Sequence, residues 1–249
     1  MTNTFINTNK LQSFQTDELW NGELAIEWNN VNEDVNILVG VNGCGKTTLL
    51  NAVCSSLQKE DAPVTYLKCL DNPARDNEKL ESALLQELKY MVMENDDNYS
   101  FTNYRLQMLD QPERHDLVQA RLSELYAVVN RLFAETGKEI LVEKGRMAFR
   151  SKRGTIIPLE QLSSGEKQIL IILLKVFLMD EKPAIILMDE PELSMDIDWQ
   201  FELLDILVKM NPNAQFILTT HSPSIFGNGW GDKVVYMEDI AKTAHNEEK

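Results

Sequence analysis

The residues best suited to chemistry form one run, GVNGCGKT, at Gly40–Thr47. Its spacing is G-x-x-x-x-G-K-T, set after a compact apolar run and before a helical pattern, the context a phosphate-binding loop requires. Gly40, Gly43 and Gly45 let the backbone curl until successive N–H groups face one anion. The following helix adds the positive end of its dipole. Lys46 is placed to reach the β- and γ-phosphates of a nucleotide, and the Thr47 hydroxyl to ligate Mg²⁺. Cys44 sits inside the loop, where an alkylating reagent is expected to block nucleotide.

Three further runs carry candidate chemistry. In AIILMDE, Ala184–Glu190, an apolar strand ends in two acids: Asp189 to hold Mg²⁺ and Glu190 to polarise an attacking water as general base. By itself this pattern is weak; beside a phosphate loop it is strong. In LSSGEKQ, Leu162–Gln168, a Ser–Ser–Gly turn opens a helix and offers a second anion site at its dipole end. Helix capping alone would explain Ser163 or Ser164, with Glu166 in the first turn, but not the whole run. In TTHSP, Thr219–Pro223, a histidine follows an apolar strand, on the γ-phosphate side of the sheet.

These residues need a scaffold, and the pattern supplies one. Thr4–Phe14 and Leu24–Trp28 read as strands, as do Val35–Val39 and Val64–Cys69, with a helix over Leu49–Leu57 between the last two. Asn77–Glu94 and Pro112–Thr136 carry apolar residues at helical spacing, joined by a polar connector around Asn95–Asn103. Glu139–Val142, Met147–Ser151 and Thr155–Ile157 form a small antiparallel group. A helix over Gly165–Leu178, strands at Ala184–Met188, Gln215–Thr219 and Lys233–Met237, and a helix over Asp198–Met210 complete the alternation. Strand–helix alternation implies an α/β fold with a mostly parallel core sheet, and the motifs fall at the carboxyl ends of its strands, where such sheets bind ligands.

GVNGCGKTT, LSSGEKQ, LMDEPELSMD and TTHSP, in this order, resemble the ABC-type ATPases, and more closely their RecF/OLD-like branch, also called AAA ATPases, of bacterial DNA repair and antiphage defence. The resemblance covers nearly the whole chain and implies one ABC-type P-loop head over 1–249. Within it, 1–71 and 180–249 form a nucleotide-binding lobe, and 72–179 a subdomain with a short helical insert and the signature helix. It implies ATP and Mg²⁺ bound by Gly40, Asn42, Gly43, Cys44, Gly45, Lys46, Thr47 and Thr48, with Thr47 and Asp189 on the metal. Glu190, His221 and Lys46 are the implied catalytic residues. Ser163, Ser164, Gly165 and Glu166 would come from a second copy, so that two ATP molecules join two heads tail to head. Asp196 matches the aspartate that communicates across that dimer. Many members of the closer branch carry Leu-His where this chain has Met195–Asp196, which follows the general ABC pattern instead. The glutamine that senses Mg²⁺ is not identifiable, with Gln86, Gln107 and Gln111 as candidates; Phe14 is the candidate for stacking on adenine.

The remaining composition bounds this picture. The chain has 249 residues and a formal charge of −15, which opposes binding to nucleic acid through bulk charge. One basic stretch departs from this: Lys144, Arg146, Arg150, Lys152 and Arg153, read in the first place as a solvated hairpin. No apolar run reaches the roughly 18 residues of a membrane span, no signal peptide is evident, and Cys44, Cys54 and Cys69 lack metal-ligand spacing. The expectation is a cytoplasmic protein with no membrane partner. Only 28 residues follow His221, ending polar and acidic, so the expectation is that no nuclease domain is attached there and that a separate effector, such as a nuclease or toxin, is the partner. Two other classes fit: the nucleotide-binding subunit of a transporter, against which LSSGEKQ and PEL count, and an ATP-sensing scaffold with little hydrolysis.

Overall fold

The computed structural model describes residues 2–68, 82–93, 100–143 and 146–243. The elements run β1 (Asn3–Asn7), β2 (Lys10–Leu19), β3 (Leu24–Trp28), β4 (Val35–Val39), α1 (Lys46–Lys59) and β5 (Val64–Leu67). Then come α2 (Ala83–Val92), α3 (Phe101–Asp110), α4 (His115–Leu132), β6 (Lys138–Glu143), β7 (Arg146–Ser151), β8 (Ile156–Ile157) and α5 (Ser164–Leu178). The chain closes with β9 (Ile185–Asp189), α6 (Ile197–Met210), β10 (Gln215–Thr220), β11 (Val234–Tyr236), α7 (Met237–Ile240) and β12 (Ala241–Thr243).

Two units emerge. One comprises Met1–Cys69, Glu181–Leu193 and Gln200–Lys249; the other comprises Leu70–Asp180 and Ser194–Trp199. The first unit holds a five-stranded sheet in the order β11-β4-β10-β9-β5, parallel throughout. Strands β9 and β10 are buried along their whole length, which is why IILM in β9 and FIL in β10 read as unbroken apolar runs rather than as alternation. A second sheet, β1-β2-β3-β12, is antiparallel. Helix α1 buries Leu49, Leu50, Val53 and Leu57 in a core shared with Leu11, Phe14, Ile26, Trp28, Leu187 and Ile217. Each such side chain contributes roughly 1.5–3 kcal/mol by leaving water. A buried amide joins the sheets: Gln215, which opens β10, accepts from Leu11 N at 2.8 Å and donates to Leu11 O at 2.9 Å.

The second unit is built on α5, whose run ILIILL is buried on nearly every side. Asp180, just past its end, takes a hydrogen bond from Tyr104 Oη at 2.9 Å and ion pairs from Arg114 and Arg121. Burial, then Asp180, push the Tyr104 phenol up to about 12. The sheet β6-β7-β8 is antiparallel, and Phe133 packs between Phe149 and Trp199 at 5.5 and 5.6 Å.

Three expectations for the elements are corrected. Thr4–Phe14 is not one strand: Thr8 and Asn9 both take left-handed backbone, φ 49 and 63, and turn the chain into the hairpin β1–β2. Of the connector expected around Asn95–Asn103, residues 95–99 lie outside the described residues, and its end is corrected: Ser100 starts helix α3, its hydroxyl accepting from Asn103 N. Phe101 and Tyr104 anchor it in the core while Leu106 is exposed, so its apolar residues do not mark one face, which hid its periodicity. Pro112 opens a 3-10 turn ahead of α4, not the helix itself. The expected helix start at Asn77–Leu80, the strand end at Cys69, and Lys144 lie outside the described residues.

Candidate functional site

Parallel pairing brings three loops to one edge of the first unit's sheet. Val39 ends β4 beside Thr220 of β10, and Thr219 stands beside Asp189, the end of β9. The phosphate loop leaves β4 there. Gly43 and Gly45 hold φ of 79 and 100, which residues with a side chain rarely adopt. A Cβ on Gly45 would also come within 2.7 Å of Leu24, and one on Gly40 within 2.6 Å of Cys44 Sγ. No side chain caps the start of α1, so the dipole end faces the loop's concavity. Lys46 is 5% exposed and folds back, donating to Gly40 O at 2.9 Å and Val41 O at 3.3 Å. Asn42 is exposed at the loop tip.

Across the edge, Thr47 Oγ1 donates to both oxygens of Asp189, at 3.1 and 2.9 Å. Asp189 Oδ1 also accepts from Thr219 Oγ1 at 2.7 Å. Glu190 takes a left-handed φ of 46, a strain of order 1–3 kcal/mol of the kind found at functional sites. Its N–H donates to Thr219 O at 3.2 Å and Thr219 Oγ1 at 3.1 Å. Its Oε1 lies 3.3 Å from His221 Nε2, both side chains partly exposed. Thr47, Asp189, Glu190 and His221 are therefore neighbours although distant in sequence.

The residues present fit a magnesium nucleotide. The glycine cradle with an uncapped helix start and a lysine suits a phosphate chain. A hydroxyl and a carboxylate side by side suit a hard divalent cation. Among the described residues no group of three or more His, Cys, Asp or Glu is arranged around a metal, so an ion at Thr47 and Asp189 would draw further oxygens from phosphate and water.

Aromatic placement differs from expectation. Phe14 is 0% exposed and belongs to the core, so it offers no face to a ligand. Trp20 is 41% exposed and lies outside every motif of the sequence. Its backbone φ is 49, its Nε1 donates to Thr48 Oγ1 at 3.3 Å, and its ring edge flanks Gly45. The Trp20–Asn21–Gly22 turn was the available signal.

In the second unit, Ser163 and Ser164 are exposed at the start of α5. Glu166 is 1% exposed and committed inward. It accepts from Ser163 N at 2.8 Å while the Ser163 hydroxyl accepts from Glu166 N at 3.1 Å, a capping box. Both its oxygens also meet Lys138 Nζ, at 2.7 and 2.6 Å. Burial opposes its ionisation, but Lys138 and the Ser163 N–H outweigh burial and hold the carboxyl below its ordinary value. A Cβ on Gly165 would overlap the carbonyl oxygen of Ser194, itself left-handed at φ 64. Asp196 is exposed and accepts from Asp198 N at 3.0 Å, in the first turn of α6. Gln86 lies on α2; Gln107 on α3 accepts from Arg114 Nη1 at 3.0 Å; Gln111 follows α3.

A family model described as "AAA domain, putative AbiEii toxin, Type IV TA system" matches residues 70–227. The chain belongs to this family of AAA domains. The family match begins beyond Gly40–Thr47, so the phosphate loop stands on its own motif and geometry. This AAA domain is 26% identical over 177 residues to the achromobactin transport ATP-binding protein of Dickeya dadantii, spanning 71% of this chain and 58% of that protein. It is 27% identical over 206 residues to a putative hemin import ATP-binding protein of Staphylococcus aureus (strain bovine RF122 / ET3-1), 82% of each. Among solved structures, an SMC head bound to the C-winged helix domain of ScpA has a TM-score of 0.50 at 13% identity, over 82% of this chain and 86% of that one. The AAA domain thus has the α/β fold of these heads. No described helix is long and apolar enough to cross a membrane.

Proposed function

We propose that this AAA domain binds ATP with Mg²⁺ and hydrolyses it, as a head-to-tail dimer that switches a separate effector protein. The observation that carries this reading is the meeting of Thr47, Asp189, Glu190 and His221 at the rim of the phosphate loop. Lys46 would leave Gly40 O and Val41 O for the β- and γ-phosphates, and Trp20 would lie against the base. Thr47 and Asp189 would hold Mg²⁺, which supplies charge neutralisation on the phosphate oxygens when bound. Glu190 would take the proton of the attacking water. His221 would donate to the γ-phosphate and, through Nε2, orient Glu190.

Ser163, Ser164 and Gly165 would meet the nucleotide held by a second copy. The exposure of Ser163 and Ser164 supports this, as does the buried Gly165, whose missing Cβ leaves room for the Ser194 carbonyl against the start of α5. Glu166 would serve that surface from within, as cap and ion pair, rather than touch nucleotide. The family description, with its putative toxin of a Type IV TA system, supports an effector in prokaryotic defence over one in DNA repair. Direct contact with nucleic acid has weaker support: Arg150 pairs with Glu139 at 3.3 Å, and Arg146 stands opposite Glu143.

Glu190→Gln tests the reading. Its ATP turnover is expected to fall at least about 100-fold, as for loss of a general base, while ATP holds it as a dimer in size-exclusion chromatography with light scattering. Parental turnover from a monomer under saturating ATP would overturn the proposal. The transport-protein relatives favour a second reading, a nucleotide-binding subunit docked on a membrane partner; co-sedimentation of the native protein with membranes would select it.

A further inference from the structure

Strands β9 and β10 are tied beyond their ladder by a buried acid to which the chemistry above gives no part. Glu192 is 7% exposed. Its Oε1 accepts from Thr220 Oγ1 at 2.5 Å and from His221 N at 3.0 Å; Oε2 has no hydrogen-bond partner among the described residues. The same Thr220 hydroxyl accepts from Ser222 N at 2.9 Å, and Ser222 Oγ donates to Gln200 Oε1 at 2.6 Å. The turn that carries His221 is thus organised around one carboxylate oxygen. Burying a carboxyl opposes folding unless its hydrogen bonds offset the loss of water, and bonds to an ionised oxygen are short and strong. A turn secured this way has little freedom.

The covalent path makes the arrangement specific. Pro191 separates Glu192 from Glu190 and fixes its own φ. His221 is held twice: its backbone by Glu192, and its ring, at 3.3 Å, by Glu190. Glu190, Pro191, Glu192 and His221 close a ring in which a shift of the β10 turn must change the Glu190–His221 separation.

We propose that Glu192 is a positioning residue that sets the imidazole of His221 against Glu190 through the His221 backbone and the Thr220 hydroxyl. It touches no substrate atom and acts only through the turn. The inference rests on the reading that Glu190 and His221 act on ATP.

The test compares Glu192→Leu, Glu192→Gln and Thr220→Val with Glu190→Gln, all in the full chain. Three histidines make the imidazole carbon–proton NMR spectrum simple, and His221→Asn assigns the signal. In nucleotide-free protein, Glu192→Leu and Thr220→Val are expected to move or broaden the His221 signal, whereas Glu192→Gln, which keeps an acceptor oxygen, leaves it in place. At saturating Mg-ATP, Glu192→Leu is expected to lose on the order of 10–100-fold in kcat, the scale of a misplaced catalytic group. Its KM should stay within about twofold of the parent, and Glu192→Gln should recover most of the rate. If Glu192→Leu does not fold, Thr220→Val carries the same comparison. An unmoved His221 signal in the Leu or Val variant, or full kcat despite a moved signal, would overturn the positioning role. Parental turnover in Glu190→Gln would instead sink the proposed hydrolysis, and the NMR result would still stand.

Discussion

At the scale of single residues, the site depends on side chains that share atoms. Asp189 Oδ1 accepts from both Thr47 and Thr219, and Thr219 Oγ1 also receives the Glu190 N–H. Replacing any of these residues disturbs the others, so their effects on hydrolysis will not add. Trp20 stands apart from this network, joined to the loop by its contact with Gly45 and its bond to Thr48. Stacking of a base on an aromatic ring is worth about 1–3 kcal/mol. Trp20→Ala should therefore weaken ATP binding about tenfold, since tenfold corresponds to about 1.4 kcal/mol. Its kcat at saturation should be unchanged and Trp20→Phe should bind nearly as the parent, both checked by calorimetric titration and steady-state kinetics. Equal affinity in Trp20→Ala would remove Trp20 from the nucleotide site.

At the scale of elements, helix α5 is the sensitive part. Its apolar body is buried by packing, but its first turn is held by Glu166, which joins the capping box to Lys138 at the start of β6. Removing one partner of a buried pair strands the other charge, at a cost of about 3–5 kcal/mol. Lys138→Met should lower stability by about 3 kcal/mol, near the low end of that range because Lys138 is not fully buried. The pH dependence has a definite sign. Glu166 has its carboxyl held below the ordinary value of 4.5, so its contribution is present in full above that value. It is lost as pH falls through the depressed one. Urea melts of the parent should lose stability over that acidic window, and Lys138→Met should show a smaller loss there. Parallel curves would mean that Glu166 is not the responsible group.

At the scale of the whole molecule, the phosphate loop belongs to one unit of the chain and the Ser163–Gly165 turn, with Ser163 and Ser164 exposed, to the other. The proposed dimer would join a loop from one copy to a turn from the next. Lys46→Ala and Ser163→Arg should each be inactive alone, the second by steric block with a cap loss of only about 1 kcal/mol. Mixed in equal amounts, they should regain measurable ATPase activity, because one of the two shared sites in a mixed dimer carries neither change. No recovery over a range of mixing ratios, with both variants folded, would argue that each head works alone. A charge of −15 sets a background repulsion between heads that salt should relieve.

What the sequence determined by itself is whatever a short run of residues encodes: the glycine loop, the Asp189–Glu190 strand end, the Ser163–Gly165 turn, and the alternation behind a mostly parallel sheet. Each depends on local backbone geometry or on hydrophobic period, and both are written in consecutive residues. Only the tertiary structure decided which of them meet. It placed Thr47 on Asp189, retired Phe14 to the core and put Trp20 beside Gly45. It turned Glu166 inward to Lys138, and closed the antiparallel sheet with β12. Glu192 makes the difference plain. The run DEPEL by itself assigns Glu192 no role, but the pairing of β9 with β10 buries it against Thr220 and His221. Its partners are remote in sequence, and only the parallel register of the two strands brings them within reach.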